Sequence, residues 1–265
     1  MIGILLEITI NAIPSYVLHY RSDKSTFDQI FKDLETFKHE NRNFEFYWFP
    51  FSKHIQTKVS NIVESGKAKD KRFSNWFNDI VMENWAFGLL CSFSKLLPPT
   101  AKYWSKFAGF TLSPFEKTNY SYKVYATVRK VKFIEMEYSV PEEYCEEVLR
   151  KISKFINDEK IRVNFPIEVR FVKEDDIFLS PAFQSTRCYI ACHMYKGMNY
   201  KKYFDGVEKI FLEYNGRPHW GKRHTLTNEL VKEKYPKLPI FLDQRQKMDP
   251  EGIFLNDHLR KLFDL

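Results

Sequence analysis

The chain has 265 residues, of which 44% are hydrophobic and 28% are charged, so it can bury the core of one large or two small globular domains. Only 9 residues are Gly, and no GxGxxG or Walker-type motif occurs, which excludes the common Gly-rich nucleotide cradle within this sequence. The net charge of +7 comes from scattered lysines without a base-reading helix, so we predict a solvated Lys-rich surface and no nucleic-acid binding.

The first residues alternate as in a strand, from Ile4 to Ile10. They do not form a signal peptide, because a basic n-region is missing and Glu7 interrupts the apolar run. A chain that begins inside a strand lacks the neighbouring strands that such a segment needs. We therefore predict that residues 1–12 are the last strand of a domain missing from this chain, and that residues 13–265 form the main domain.

A helix is predicted over residues 25–40, where Phe27, Ile30 and Phe31 recur at helical spacing behind a Ser25 cap. Residues 43–51 (NFEFYWFPF) alternate as a strand that stops at Pro50.

Residues 74–115 are rich in aromatic side chains, and their longest uncharged stretch is the eleven residues 84–94. A membrane-spanning helix needs about 20 apolar residues, so this segment is not transmembrane. It predicts either a buried helical pair broken at Pro98 and Pro99, or an amphipathic element that lies in a membrane interface.

The remaining strands and helices lack the regular βαβ order of a doubly wound sheet. The fold class predicted is α+β, with an antiparallel sheet covered by helices on one face. The predicted elements are two adjacent strands in 121–141, a helix over 141–160, strands in 166–172 and 180–195, a helix over 198–216 that Gly216 ends, helices in 225–236 and 238–250, and a tail over 252–265.

The strand PIEVRFV, residues 166–172, carries one carboxylate and one guanidinium. Because strand side chains alternate between faces, Glu168 and Arg170 share the face opposite Ile167 and Val169, with Cα atoms about 6.6 Å apart. Two interpretations remain open at this point. The pair either forms a solvated ion pair or lines a pocket that binds a polar substrate.

No metal site is predicted. In a strand Cys188 and Cys192 lie about 13 Å apart, too far to share one zinc ion, and no CxxC motif occurs. The spacing of the four cysteines predicts no disulfide framework, which is typical of a reducing compartment. His193 alternates to the face opposite both cysteines and is a candidate for the pocket.

Five motifs occur in the order and spacing of one family: FEFYWFP, FIEMEYSVP, PIEVRFV followed by DDIFLSP, GRPHWGK and DPEGIFLN. Over essentially its whole length the chain resembles the C-terminal region of the aldonolactone oxidases, flavoenzymes of the vanillyl-alcohol-oxidase type. It is most similar to the animal members, which oxidise L-gulono-1,4-lactone.

The resemblance implies that residues 1–12 end an FAD-binding domain absent from this chain, and that residues 13–265 are the substrate (cap) domain. It implies FAD as cofactor, hydride transfer from the carbon bearing the lactone 2-hydroxyl, reduction of O2 to H2O2, and a place in L-ascorbate biosynthesis. The substrate implied is L-gulono-1,4-lactone or D-arabinono-1,4-lactone. The alternative is a truncated cap domain without activity that serves as a binding or structural module.

By the same resemblance Glu168, Arg170 and Lys222 are catalytic, and Glu168, Arg170 and His193 bind substrate. His219 and Lys222 are expected to contact the flavin.

Three further expectations concern single positions. Glu135 is expected to be a structural acid, residues 175 and 176 to form a turn, and Phe51 stands where many relatives carry His.

The animal members associate with the endoplasmic reticulum membrane, which favours residues 74–115 as a membrane-surface element. The resemblance therefore implies peripheral association with that membrane, assisted by lysines at an anionic surface. The partners expected are an aldonolactone and O2.

Overall fold

A computed structural model describes residues 3–64 and 84–265, and within these residues eight strands form one sheet. Every ladder between neighbouring strands is antiparallel, and the spatial order is β4-β1-β3-β2-β6-β7-β5-β8. The strands are β1 Val17–Thr26, β2 Asn43–Trp48, β3 His54–Val63, β4 Phe115–Tyr120, β5 Phe133–Pro141, β6 Ile167–Val172, β7 Arg187–Tyr195 and β8 Arg217–Pro218.

Ten α-helices are described in the same residues. They are α1 Phe27–Lys32, α2 Leu34–Glu40, α3 Phe87–Leu96, α4 Ala101–Phe110, α5 Ser121–Tyr125, α6 Cys145–Asp158, α7 Lys201–Glu213, α8 Asn228–Lys234, α9 Leu238–Met248 and α10 Asp257–Phe263. The predicted α+β class is confirmed.

The two faces of the sheet differ in chemistry. On one face Val169 and Ile190 are buried against α6 and α7, in a core that includes Ile152 and Phe211. Directly opposed residues of antiparallel strands share a face, so the charged residues of β5, β6 and β7 lie together on the other face. This alternation places ionisable groups in a row across neighbouring strands.

A second, smaller core joins the three C-terminal helices. Val231 of α8 and Tyr235 at the end of that helix pack with Leu238 of α9 and with Leu262 and Phe263 of α10. Trp220 packs against this cluster, so the segment after β8 is held between the sheet and the C-terminal helices.

Several predicted elements need correction. Strand β1 continues to Thr26, which replaces Ser25 as the cap by accepting from the Gln29 backbone N–H. The first part of the predicted strand pair in 121–141 is the short helix α5, so only β5 is a strand there.

Residues 4–10 form no regular element, and their side chains are exposed. A β-strand forms backbone hydrogen bonds with a neighbouring strand, and no strand among the described residues pairs with this segment. Its assignment to a flavin-binding domain stays a prediction.

The segment predicted over 74–115 lies partly outside the described residues, which resume at 84. From there α3 and α4 form the predicted helical pair, separated by a 3-10 turn at Pro98–Thr100. The burial is inverted, because small residues such as Ser94, Ser105 and Gly109 face inward whereas large apolar ones face outward. Across the described ranges, no helix is both long enough and apolar enough to cross a bilayer.

Candidate active site

The pair on β6 lies where the strand alternation predicts it. Glu168 is only 8% exposed in its side chain and Arg170 is 42% exposed, and Arg170 Nε lies 3.3 Å from Glu168 Oε1. The sheet shields the carboxylate while leaving part of the guanidinium accessible. The carboxylate of the pair is thus enclosed while the guanidinium keeps contact with solvent, and a substrate pocket at the pair stays a prediction.

Glu137 on β5 is a second partner of the guanidinium. Arg170 Nη2 donates to Glu137 Oε1 at 2.7 Å, although β7 separates the two strands. Ala191 of β7 lies directly opposite both Glu168 and Glu137. Its small side chain leaves room for the guanidinium to cross β7 and reach Glu137 while Nε stays beside Glu168.

The motif GRPHWGK follows α7 in a turn that fixes its path. Asn215 takes the left-handed conformation with φ of 52°. The Gly216 N–H donates to Phe211 O at 2.8 Å, as in a Schellman helix end. The left-handed residue is thus Asn215 and not the predicted Gly216. A side chain at Gly216 would put Cβ 2.5 Å from Phe211 O, so glycine is needed for space.

After Pro218 the backbone continues along β5. The His219 N–H donates to Glu137 O at 2.9 Å and the Arg223 N–H to Glu135 O at 3.0 Å. Between them the Lys222 N–H closes a turn onto His219 O. This arrangement presents the Lys222 side chain to the charged face of β5.

Lys222 binds two carboxylates there. Its Nζ lies 2.6 Å from Glu135 Oε1 and also donates to Glu137 Oε2. The structure therefore brings Glu168, Arg170 and Lys222 together through Glu137. It also places Glu135 in the cluster, where the sequence indicated only a structural acid.

His193 joins the cluster through Glu135. Its Nε2 lies 3.3 Å from Glu135 Oε1, and its Nδ1 lies 3.1 Å from Pro166 O. Both neighbours are oxygen atoms that can accept a hydrogen bond. Both ring nitrogens are engaged, and substrate binding by His193 stays a prediction.

His219 lies apart from the charged cluster. Its exposed ring accepts from the Gly221 N–H at 3.1 Å. The ring lines an open cavity of about 440 Å³, whose other lining residues are Leu179, Pro181, Trp220, Gly221, Phe241, Leu259 and Phe263. The backbone of His219 positions Lys222, whereas its imidazole faces this apolar cavity.

The electrostatics follow from burial and pairing. Burial would raise the pKa of Glu135, but hydrogen bonds from His193 and Lys222 outweigh it and hold the pKa at about 2. Burial would likewise lower the pKa of Arg170, but Glu168 and Glu137 raise it. Charged forms of opposite sign thus stabilise one another within the cluster.

Two residues of β2 extend the charged face. Glu45 lies opposite Arg170 and Tyr47 opposite Glu168. Burial raises the pKa of Glu45 against the opposing effect of Lys58, and Glu168 adds to the rise. The alternation in FEFYWFP predicts that Glu45 and Tyr47 share a face, but it does not predict that β2 neighbours β6.

The turn predicted at residues 175 and 176 lies slightly later, where the Ser180 N–H donates to Ile177 O at 2.9 Å, whereas Asp175 forms an isolated bridge with Phe183. Asp175 Oδ1 accepts from the Ile177 N–H at 3.0 Å, and Oδ2 accepts from Ser180 Oγ at 2.5 Å. Phe51 adopts a left-handed backbone with φ of 67° and packs against the main core.

The family model for D-arabinono-1,4-lactone oxidase matches residues 8–262 of this chain. L-gulono-1,4-lactone dehydrogenase of Mycobacterium tuberculosis is 34% identical over 263 residues, which cover 98% of this chain and 61% of that protein. L-gulonolactone oxidase of Mus musculus is 31% identical over 270 residues, with 99% and 60% covered. The chain spans about three fifths of the length of these curated relatives.

Solved structures show the same fold. Cholesterol oxidase from Brevibacterium sterolicum superposes with a TM-score of 0.60 at 17% identity, over 94% of this chain and 60% of that chain. BBE-like 1 of Physcomitrella patens gives a TM-score of 0.51 at 9% identity, over 90% and 52%. The match over nearly all of the sequence, joined to this fold, leads to one conclusion: the chain belongs to the D-arabinono-1,4-lactone oxidase family.

Proposed function

We propose that this chain is the substrate-binding part of an FAD-dependent oxidase or dehydrogenase of an aldono-1,4-lactone. The observation that carries the proposal is the cluster of Glu168, Arg170 and Lys222 on the charged face of the sheet, in a chain of this family. The substrates proposed are L-gulono-1,4-lactone and D-arabinono-1,4-lactone, with oxidation at the 2-hydroxyl as a step of L-ascorbate biosynthesis.

The residues have distinct tasks in this proposal. Glu168 Oε1 faces Arg170, and within the described ranges its Oε2 accepts no hydrogen bond, so it is free to take the hydroxyl proton. Arg170 retains accessible donors that bind the substrate oxygen. Both act from one strand, which fixes their separation without a mobile loop.

Lys222 supplies a third contact. An ammonium has three N–H donors, and Glu135 and Glu137 take two of them. In the described part of the chain no residue accepts from the third, which leaves it for the substrate or the flavin. A positive charge held there stabilises negative charge that develops in the reaction.

The N–H donors of Arg170 and Lys222 fit the ring system of a flavin, which becomes anionic on reduction. The sequence offers no Gly-rich loop for the flavin pyrophosphate. When bound, FAD would supply the acceptor for the hydride, and O2 taking up the two electrons and two protons would leave as H2O2. Lys222 and His219 are the residues proposed to contact it.

The test is coexpression with the flavin-binding domain of a relative, followed by anaerobic mixing with L-gulono-1,4-lactone. We expect bleaching of the flavin absorbance. Glu168→Gln is expected to slow it about 100-fold or more, the usual contribution of a general base. Arg170→Ala is expected to slow it comparably, because the substrate oxygen loses its cation.

Glu174→Gln is the matched control, since Glu174 is exposed just beyond β6, and it should bleach at the unaltered rate. Full-rate bleaching by Glu168→Gln or Arg170→Ala removes that residue from the mechanism. Absence of bleaching in a complex that retains FAD favours the alternative, a cap domain that binds without catalysing. Formation of H2O2 in air distinguishes oxidase from dehydrogenase.

We further propose peripheral membrane association through the α3–α4 surface, defined as the exposed apolar side chains of Trp85, Leu89, Phe93, Leu96, Leu97, Tyr103, Phe107 and Phe110. Residues 84–115 contain three lysines and no acidic residue. Exposed apolar and aromatic side chains accompanied by lysines are typical of helices that lie on anionic lipid. The endoplasmic reticulum is the membrane proposed.

A further inference from the structure

Glu137 is the most enclosed charged group of the cluster, with a side chain only 2% exposed. Its two carboxylate oxygens bind different cations, Oε1 accepting from Arg170 and Oε2 from Lys222. Among the described residues, no other carboxylate binds both of these cations. Its backbone carbonyl also accepts from the His219 N–H, so the same residue anchors the turn that carries Lys222.

This enclosure constrains the chemistry of Glu137. A buried carboxylate needs cationic partners to offset the loss of water, and both of its oxygens already have one. With so little exposed surface it has no room to contact a substrate. It therefore differs from Glu168, which engages one cation through one oxygen.

The neighbouring carboxylate gives a direct comparison. Glu135 lies on the same strand and the same face, two residues earlier, and binds Lys222 and His193 but not Arg170. Arg170 comes from β6 and Lys222 from the segment after β8, on opposite sides of β5 in the sheet order. Within residues 3–64 and 84–265, Glu137 alone links these two separate elements of the site.

We propose that Glu137 is a positioning residue: it holds Arg170 and Lys222 at a fixed separation, so that their remaining donors bind one substrate together. The inference rests on the proposed function for its role in catalysis. All three residues of the arrangement lie in this chain, so their contacts can be tested without flavin or lactone.

The test measures the chemical reactivity of both cations in the 265-residue chain. Trace acylation followed by peptide mass spectrometry reports the rate at Lys222, with the exposed Lys232 as internal reference. Phenylglyoxal labelling reports the rate at Arg170. The variants compared are Glu137→Gln and, as the matched control, Glu135→Gln.

In Glu137→Gln we expect acylation of Lys222 to rise about tenfold, because its Nζ loses one of the two carboxylates that hold it. Labelling of Arg170 should rise several-fold, because the guanidinium loses its enclosed partner. In Glu135→Gln we expect faster acylation of Lys222 with unchanged labelling of Arg170. Because Glu135 contacts Lys222 but not Arg170, a response of both cations distinguishes Glu137 from its neighbour on the same strand.

The proposal is overturned if folded Glu137→Gln leaves either cation at its wild-type rate. If that variant does not fold, Glu137→Asp takes its place, because it keeps the charge but is one methylene too short to reach both cations. It should then raise the labelling rate of one cation only, and wild-type rates at both would overturn the proposal. Since neither reagent needs a cofactor, this outcome is independent of flavin bleaching in the coexpressed complex.

Discussion

At the scale of single residues, Glu135 makes the site sensitive to acid. Burial by itself disfavours its charged form, yet hydrogen bonds from His193 and Lys222 hold its pKa at about 2 against an ordinary 4.5. A carboxyl group with a lowered pKa in the folded state stabilises that state above its ordinary pKa. The contribution is lost as the pH falls from about 4.5 to about 2.

Glu135→Gln is therefore expected to flatten the acid limb of the stability profile. At roughly 1.4 kcal/mol per pKa unit, the wild-type chain should lose up to about 3 kcal/mol more than the variant on acidification through this window. Urea unfolding at a series of pH values measures the difference. Glu174→Gln, which removes an exposed carboxylate, should leave the profile unchanged, and parallel profiles for Glu135→Gln and the wild type would contradict the assignment.

Strand alternation alone predicts which residues share a face, and the structure confirms this for Glu168 and Arg170. The same alternation puts Glu135 and Glu137 on one face of β5. It does not reveal that β7 lies between β5 and β6, nor that the residue opposite both Glu137 and Glu168 is the small Ala191. Those facts depend on long-range pairing and register, which a single sequence does not specify.

At the scale of elements, the end of α7 controls where Lys222 lies. The helix carries Glu208, whose buried carboxylate accepts from the Thr225 N–H at 2.6 Å and from Thr225 Oγ1 at 2.7 Å. Gly216 fixes the start of the same segment through its close approach to Phe211 O. The segment is thus held at both ends, by the helix end before Lys222 and by a helix side chain after it.

Gly216→Ala should destabilise the fold by about 1–3 kcal/mol, the usual cost of forcing an extra carbon into a packed site. The new Cβ would lie 2.5 Å from a backbone oxygen that cannot move without breaking the helix end. Chemical denaturation followed by tryptophan fluorescence gives the free energy of unfolding.

The matched control is Gly88→Ala in α3, where a Cβ would lie 3.5 Å from Val131 Cγ2 in ordinary contact. Because Ala favours helices over Gly, this change should be neutral or stabilise by up to about 1 kcal/mol. Equal stability of Gly216→Ala and the wild type would show that the helix end adapts freely, and would remove the argument for glycine at this position.

Element types were predictable where local patterns and tertiary packing agree, as in α6, α7 and β6. Element types were not predictable where tertiary packing overrides the local pattern. Residues 121–125 alternate like a strand, yet they form α5 after the short edge strand β4. Residues 4–10 alternate as well, but no described strand pairs with them. Alternation predicts which side chains a strand would bury, but it does not show whether a neighbouring strand is present to form the hydrogen bonds.

At the scale of the whole molecule, two surfaces stand out among the residues that the structure describes. One is the charged sheet face, whose cations and carboxylates largely satisfy each other. The other is the α3–α4 surface, where the large apolar side chains point outward and the small ones inward. Gly109 and Ser105 permit this inversion by packing closely against Ser52 and Pro50. Large apolar side chains left outward in this way are typical of a surface that has a binding partner.

If that partner is anionic lipid, the chain should cosediment with vesicles containing phosphatidylserine, and binding should weaken as salt is added. Replacing Phe107 and Phe110 together by Ser should lower the partition coefficient at least tenfold, because each ring contributes about 1.5–3 kcal/mol when buried. Ile240→Ser with Ile253→Ser, exposed apolar positions elsewhere, is the control and should bind as the wild type does. Absence of binding to anionic vesicles rejects the membrane proposal, and binding that disappears on coexpression with a flavin-binding domain assigns the surface to that domain instead.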